Sequence, residues 1–209
     1  MAIRRAVAAV ALLALVPAAM ASAEKRGVLR GIYVAVDGQA YVEPCGRSER
    51  LRLGGPAATE LAAAYTQLAT AEHRRLYVEV RGSHARNSFT ADQVERIQVS
   101  GEGCHEVMRN SLFKAYGALP EWNLFIDPTG LRLRTLEDGG PIWFPYHRFW
   151  REGGAWVFGS HNNGGDIRVE VRHGRCIDPA TGNRFGFTAA VVFGEKRYGG
   201  CAYPGDLLR

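Results

Sequence analysis

Four cysteines, Cys45, Cys104, Cys176 and Cys201, constrain the fold of this chain more than any other feature. An even count of thiols is read as a disulfide framework in an oxidising compartment, and the leader supplies that context. Residues 1–23 open with Arg4 and Arg5, run through an apolar stretch at 6–16, and end in the small residues Ala21-Ser22-Ala23. That is the layout of a secretory signal peptide, with cleavage expected near Ala23. The apolar stretch is about half of the roughly 20 residues a helix needs to cross a bilayer, so removal is expected rather than anchoring. No later stretch is long and apolar enough to span, and the residue directly after the expected cleavage site is Glu24 rather than a cysteine that could carry a lipid. The processed chain is expected in the periplasm or outside the cell, with no transmembrane segment.

Two disulfides are therefore predicted. Four cysteines permit three pairings, and spacing alone does not choose among them. The expectation is Cys45 with Cys104 and Cys176 with Cys201, because each pair then closes one half of the chain. Loop-closure entropy assigns about 4 kcal/mol to the first and about 3.5 kcal/mol to the second, comparable with the net stability of a small domain. A metal site is disfavoured, since no two cysteines are close and no CxxC or HxxxH occurs.

Processing leaves about 186 residues, enough for one larger or two small cores. The formal charge of +5 falls to about +3 without Arg4 and Arg5, short of the clustered basic stripe of a nucleic-acid binder. Arg-rich spots at 47–52 and 73–75 alternate with acids or hydrophobes and read as solvated faces. No nucleic-acid partner is expected.

Periodicity predicts a mainly β chain. Residues 28–36 and 39–43 flank Asp37-Gly38, the strongest short hairpin signal because both turn positions want positive φ. Residues 51–53 form a short third strand, and Gly54-Gly55-Pro56 ends it. The stretch 57–71 carries Leu61, Tyr65 and Leu68 on one stripe and reads as a helix. Strands follow at 76–81 and 94–99. Strands, one helix, then strands over about 80 residues is the order of a five-stranded OB-like barrel, with an open α+β sheet as the alternative. Residues 107–110 read as a connector that 113–116 continues into the second half. There, strands are predicted at 122–126, 131–136, 142–146, 155–159, 167–172, 185–193 and 197–201, separated by Gly-, Asp- and Asn-rich turns. Seven short strands at this spacing read as an antiparallel β-barrel or sandwich. The expected organisation is signal peptide 1–23, OB-like domain 24–108 and β-barrel domain 109–209.

Gly31-Ile32-Tyr33, Tyr41-Val42-Glu43-Pro44-Cys45, the helix with Leu61 and Tyr65, and Leu76-Tyr77-Val78-Glu79-Val80-Arg81-Gly82 carry a family likeness. Over roughly 80 residues the first half resembles the C-terminal OB domain of NlpE-type envelope lipoproteins, a family tied to copper homeostasis and envelope-stress signalling. The metal-linked CxxC motifs of that family belong to its other domain and do not occur here, so no metal or cofactor is carried over. The second half, through Phe113-Lys114-Ala115-Tyr116-Gly117-Ala118-Leu119-Pro120-Glu121-Trp122, Arg175-Cys176-Ile177-Asp178, Phe187-Thr188-Ala189-Ala190-Val191 and Gly200-Cys201-Ala202, resembles an uncharacterised exported bacterial β family. That resemblance implies a fold and a Cys176 to Cys201 bridge, without a reaction. It departs from the family pattern at Leu119-Pro120-Glu121-Trp122 and at Asp178-Pro179-Ala180-Thr181.

No catalytic set is assigned. Ser160-His161 is an adjacent Ser and His pair in a predicted strand region, and neighbours on a strand point to opposite faces. No GxSxG elbow or Walker-type phosphate loop occurs. Glu121 beside Trp122 is the most suggestive acid, because burial against an aromatic raises a carboxyl pKa. The richest aromatic cluster is Trp143, Phe144, Tyr146, His147, Phe149, Trp150 and Trp156, flanked by Arg148 and Arg151. Alternation puts Trp143 with Pro145 on one face and Phe144 with Tyr146 on the other. One face is expected to fill the core, while Trp143, Tyr146, His147, Arg148 and Trp150, with Glu121 and Trp122, are the candidates for binding. Aromatic and Arg side chains anchor protein or carbohydrate partners. The expectation is a non-enzymatic binding or accessory protein of the bacterial cell envelope, whose partner is another envelope protein or a cell-wall component. The alternatives are a wall-acting hydrolase using Glu121 or His161, and a lysozyme-inhibitor-like protein.

Overall fold

Strand β1 (Lys25–Val36) turns into β2 (Gln39–Pro44) through Asp37 and Gly38, whose φ values of 50° and 75° are the positive pair a tight hairpin requires. The computed structural model describes residues 25–70, 75–99, 101–137, 139–145 and 147–208, so the expected signal peptide and Tyr146 lie outside the described residues. β2 pairs with β3 (Leu51–Gly54), and Pro56 then opens α1 (Pro56–Leu68) at its first turn, where a missing N–H costs nothing. β4 (Leu76–Ala85) and β5 (Ser88–Gln98) complete the unit. Parallel pairing of Leu53 with Phe89 joins β3 to β5, and β1 pairs with β4, so the order β1-β2-β3-β5-β4 closes a five-stranded OB-like ring.

The ring fills with Leu29, Tyr33, Val42, Leu53, Val78, Val80, Phe89 and Ile97. Helix α1 adds Ala57, Leu61 and Ala64, with Tyr65 and Leu68 partly buried beside them. The stripe is the expected one, although the helix ends at Leu68 instead of 71. Ala69 is already extended there, with ψ of 119°.

The second half holds nine strands: β6 (Phe113–Ala118), β7 (Glu121–Asp127), β8 (Gly130–Thr135), β9 (Ile142–Pro145), β10 (Arg148–Glu152), β11 (Ala155–Asn162), β12 (Gly165–Ile177), β13 (Arg184–Phe193) and β14 (Lys196–Pro204). Two were not foreseen. β6 was expected as the connector's continuation, and β10 was hidden inside the aromatic cluster. The sheet runs β10-β11-β12-β13-β14-β6-β7-β8-β9 and curls round until β9 lies along β11. No ladder joins those two. Ser160 Oγ donates to the Pro145 carbonyl at 2.8 Å and Asn162 Nδ2 to the Trp143 carbonyl at 2.9 Å. Side chains thus satisfy the backbone acceptors that ladder bonds would otherwise take. The interior is filled by Phe113, Trp122, Leu124, Leu133, Phe144, Phe158, Val171 and Phe187, among others.

Both disulfides form as Cys45–Cys104 and Cys176–Cys201, with Cα separations of 5.3 and 5.4 Å. Among the described residues no helix is long and apolar enough to cross a membrane.

The two halves meet where Ile97 and Arg96 of β5 pair with Arg184 and Phe185 of β13. Met108, Phe185, Cys201 and Tyr203 form a small apolar cluster there. Beside it Arg96, 1% exposed, reaches Glu79 with Nη1 at 3.3 Å and Glu106 with Nη2 at 2.6 Å. Its guanidinium carbon lies 3.8 Å from the centre of the Tyr203 ring. Lys114 Nζ and the Tyr203 hydroxyl each donate to Glu106 Oε1 at 2.7 Å. Burial acts to raise the Glu106 carboxyl, yet Arg96, Lys114 and Tyr203 outweigh it and hold the group down to about 2.

Removing Arg96 takes away the cation shared by two buried carboxylates and leaves Glu79 with Arg30 at 3.4 Å and Glu106 with Lys114 at 2.7 Å. Arg96→Ala is therefore expected to lower stability by up to about 3 kcal/mol in urea titrations of the oxidised protein at neutral pH. A loss under about 1 kcal/mol would mean that water reaches both acids. Because the folded-state Glu106 pKa lies below its unfolded value, its contribution is full above about pH 4.5 and is lost as pH falls toward about 2. Glu106→Gln is expected to flatten that acid limb of the stability profile, as read by urea midpoints between those limits.

Candidate functional site

The registers of β10, β11 and β12 sort the predicted aromatic cluster into two faces. Phe149 stands opposite Phe158 and Val169, and Arg151 opposite Trp156 and Val171, on the side that continues the core. The outer side carries three cross-strand rows. Trp150 lies with Val157 and Glu170, Arg148 with Gly159 and Arg168, and His161 with Asp166.

These rows line a groove of about 570 Å³ bordered by Pro145, Arg148, Trp150, His161, Asp166 and Arg168. Gly159 makes it possible. A Cβ there would lie 3.2 Å from the Trp150 ring, so the indole occupies space that a side chain would take. The indole Nε1–H donates to Glu152 Oε2 at 2.9 Å, and the Arg168 guanidinium carbon sits 5.3 Å from the ring centre. Arg168 Nη2 also donates to Glu152 at 3.0 Å and to Glu170 at 2.8 Å, while Arg172 donates to Glu170 at 2.9 Å. Hydrogen bonds from Arg168 and then Arg172 hold the Glu170 carboxyl below its ordinary value, and those from Trp150 and then Arg168 do the same for Glu152. His161 Nδ1 is 2.9 Å from Asp166 Oδ1. Arg168, His161 and Asp166 at the groove thus already have partners, while no ion pair is made by Arg148 among the described residues.

A second aromatic lies beside it. Trp143, 42% exposed, folds over Gly130, where a Cβ would come within 2.8 Å of its ring. Gly130 pairs with Pro145, the residue at the groove's edge. Arg132 stacks on Phe125 at 4.6 Å and lies 5.9 Å from Trp143, which continues the aromatic and Arg pattern across β7 to β9.

Of the predicted binding residues, Arg148 and Trp150 come together at the groove and Trp143 lies next to it. His147 serves the frame instead. Its Nε2 donates to the Asp127 carbonyl at 2.7 Å, and its ring meets Phe158 edge-on at 5.3 Å. Trp122 is 1% exposed, in the core, with its indole N–H on the Gly199 carbonyl at 3.2 Å. Glu121 is exposed, in a separate shallow concavity with Arg134 and Leu136. Tyr146 falls outside the described residues.

The Ser160 hydroxyl donates to the Pro145 carbonyl, and His161 is paired with Asp166, so the adjacent Ser and His are each engaged elsewhere. Asp166, Arg168, Glu152 and Glu170 were not singled out from the sequence. The alternation Asp166-Ile167-Arg168-Val169-Glu170-Val171-Arg172 does mark them as one outward face, but it says nothing of what lies across from them. No family model, no curated protein and no solved structure matches the chain.

The groove-lining ions are partly exposed, so they contribute little to stability. Arg168→Ala is expected to cost less than about 1 kcal/mol. Gly159→Val displaces the indole from a position where it yields easily, and is expected to shift tryptophan emission with a loss of less than about 1.5 kcal/mol. Urea unfolding with fluorescence measures both, and a loss above about 3 kcal/mol in either would make the groove part of the structural frame.

Proposed function

We propose that this chain is a non-enzymatic, exported binding or accessory protein of the bacterial cell envelope, acting in the periplasm through the outer surface around β9 to β12. The observation that carries the reading is that the second sheet is filled while its aromatic and charged groups gather outside. Phe144, Phe158 and Phe187 occupy the space a small apolar ligand would need, and Trp150, Arg148 and Arg168 border an open groove. The leader's layout and the two disulfides support an oxidising compartment. The resemblance of the first half to the OB domain of NlpE-type lipoproteins supports an envelope setting in which that half serves as a platform.

One observation favours a second reading. His161 and Asp166 stand 2.9 Å apart at the groove beside Ser160, which is the raw material of a wall-acting hydrolase. Turning the Ser160 hydroxyl from Pro145 to His161 would be required first, and that would free the carbonyl holding β9 against β11.

Affinity capture from an envelope extract, using the oxidised mature chain and its Trp150→Ala variant side by side, separates the readings. The expected result is an envelope component retained by the wild type and lost by the variant. No Trp150-dependent partner, together with turnover of a wall or ester substrate that His161→Ala abolishes, would overturn the proposal in favour of the hydrolase. Slowing of lysozyme at micromolar protein, again dependent on Trp150, would identify the partner as an enzyme.

A further inference from the structure

We infer that the groove at Trp150 is a saccharide site, taking an uncharged, chain-form glycan with a pyranose ring seated against the indole. The inference rests on the surface-recognition reading and names the ligand for it. A pyranose presents hydroxyl groups around its rim and an apolar patch of C–H groups on its ring face. The groove has the matching parts, because the Trp150 indole stands among planar hydrogen-bonding groups from Arg168, Glu152, Asp166 and His161. A sugar hydroxyl both donates and accepts, so it bridges a guanidinium and a carboxylate that already face each other.

Charge argues for a neutral ligand. Arg168 is shared by Glu152 and Glu170, Arg172 is paired with Glu170, and His161 lies against Asp166. Only Arg148 at the groove lacks a carboxylate among the described residues. An approaching polyanion would meet that one open cation and would have to displace the carboxylates from the others, whereas a neutral polyol adds hydrogen bonds without separating the pairs. Apolar peptide anchors are also a poor match, since such contacts concentrate where charge is depleted, and this groove is rimmed by ions.

The second ring sets the length. Trp143 lies over Gly130, whose strand partner Pro145 borders the groove, so the outer face offers two aromatic surfaces with a proline between them. Two surfaces suit an oligomer better than a single sugar.

Isothermal titration and tryptophan emission, on the oxidised mature chain, test this with uncharged tetramers of β-linked glucose and of β-linked N-acetylglucosamine, and with an oligouronate of equal length. Saturable binding of at least one neutral tetramer is expected. It should weaken at least about fivefold in Trp150→Ala, the loss of one aromatic contact, and change less than about twofold between low and physiological salt. Leu119→Ala, at an exposed residue outside the groove, should bind as the wild type does. Gly159→Val, which moves the indole without removing it, should also weaken binding. Absence of saturable binding of either neutral tetramer at millimolar concentration overturns the inference. So does binding of the oligouronate alone with steep salt dependence, or neutral binding that Trp150→Ala leaves unchanged. If capture from the envelope extract remains dependent on Trp150 while both neutral tetramers fail, the accessory-protein reading stands and only the saccharide assignment falls.

Discussion

Arg96 is the side chain on which the seam between the five-stranded ring and the remaining strands of the sheet depends. In a solitary OB-like ring, the outward residues of β4 and β5 would face water, and Tyr77, Glu79, Arg96 and Gln98 occupy such positions. Here the second half covers that face, and Glu79 and Glu106 become 0% and 7% exposed. Burying each carboxylate costs several kcal/mol unless a cation and further hydrogen bonds meet it. A guanidinium has five donors in a fixed planar fork, so one residue answers both acids, while its faces lie against Tyr203 and Tyr77. Apolar contacts between Met108, Phe185 and Tyr203 tolerate sliding. The charge triad does not, because any shift strands an ion. The pairing between β5 and β13 covers only two residues on each strand, so the triad and its hydrogen bonds do much to set the angle between the halves.

That arrangement explains which parts of the fold could be read from the residues and which could not. The Asp37-Gly38 turn, the Leu61 stripe and the alternation at 76–80 are local signals, and each appears in the structure at about the expected place, as do the two cysteine pairings expected from closing each half. The burial of Glu79, Arg96 and Glu106 was not legible, since alternation marks the first two as outward and only the second half turns outward into buried. Residues 107–110 read as a plain connector for the same reason, although Met108 is 3% exposed. The element β10 was missed because 142–152 changes partners midway, from β8 up to Pro145 to β11 from Arg148, a switch that no periodicity records. In the candidate site, the sequence pointed to Trp150, Arg148 and Trp143. It could not separate them from Trp122, because the identity of an aromatic residue does not say whether it lies at a rim or in a core.

The change of partners also locates the groove. Where 142–152 leaves one ladder for the other, β9 and β11 are held by side chains, through Ser160 and Asn162, rather than by backbone bonds. A gap in the ladder opens a concavity on the outside, while Phe144, Phe158 and Phe187 fill the interior. Gly159 then lets Trp150 lie down across the opening. The site is therefore a consequence of how the sheet comes round on itself, with β9 laddered to β8 and β10 laddered to β11.

Arginine and glutamate do opposite work at the two places, and exposure to water decides which. At the seam, the Arg96 and Glu79 side chains are 2% and 0% exposed, so removing either partner leaves a charge that water does not reach and that only the remaining seam groups can meet. At the groove, the Arg168 and Glu152 side chains are 38% and 55% exposed, and water already competes for every donor and acceptor. A pair of the second kind holds little energy and therefore resists little when a ligand hydroxyl takes the place of a water between its members. One pairing fixes a structure because it cannot exchange, and the other suits recognition because it can.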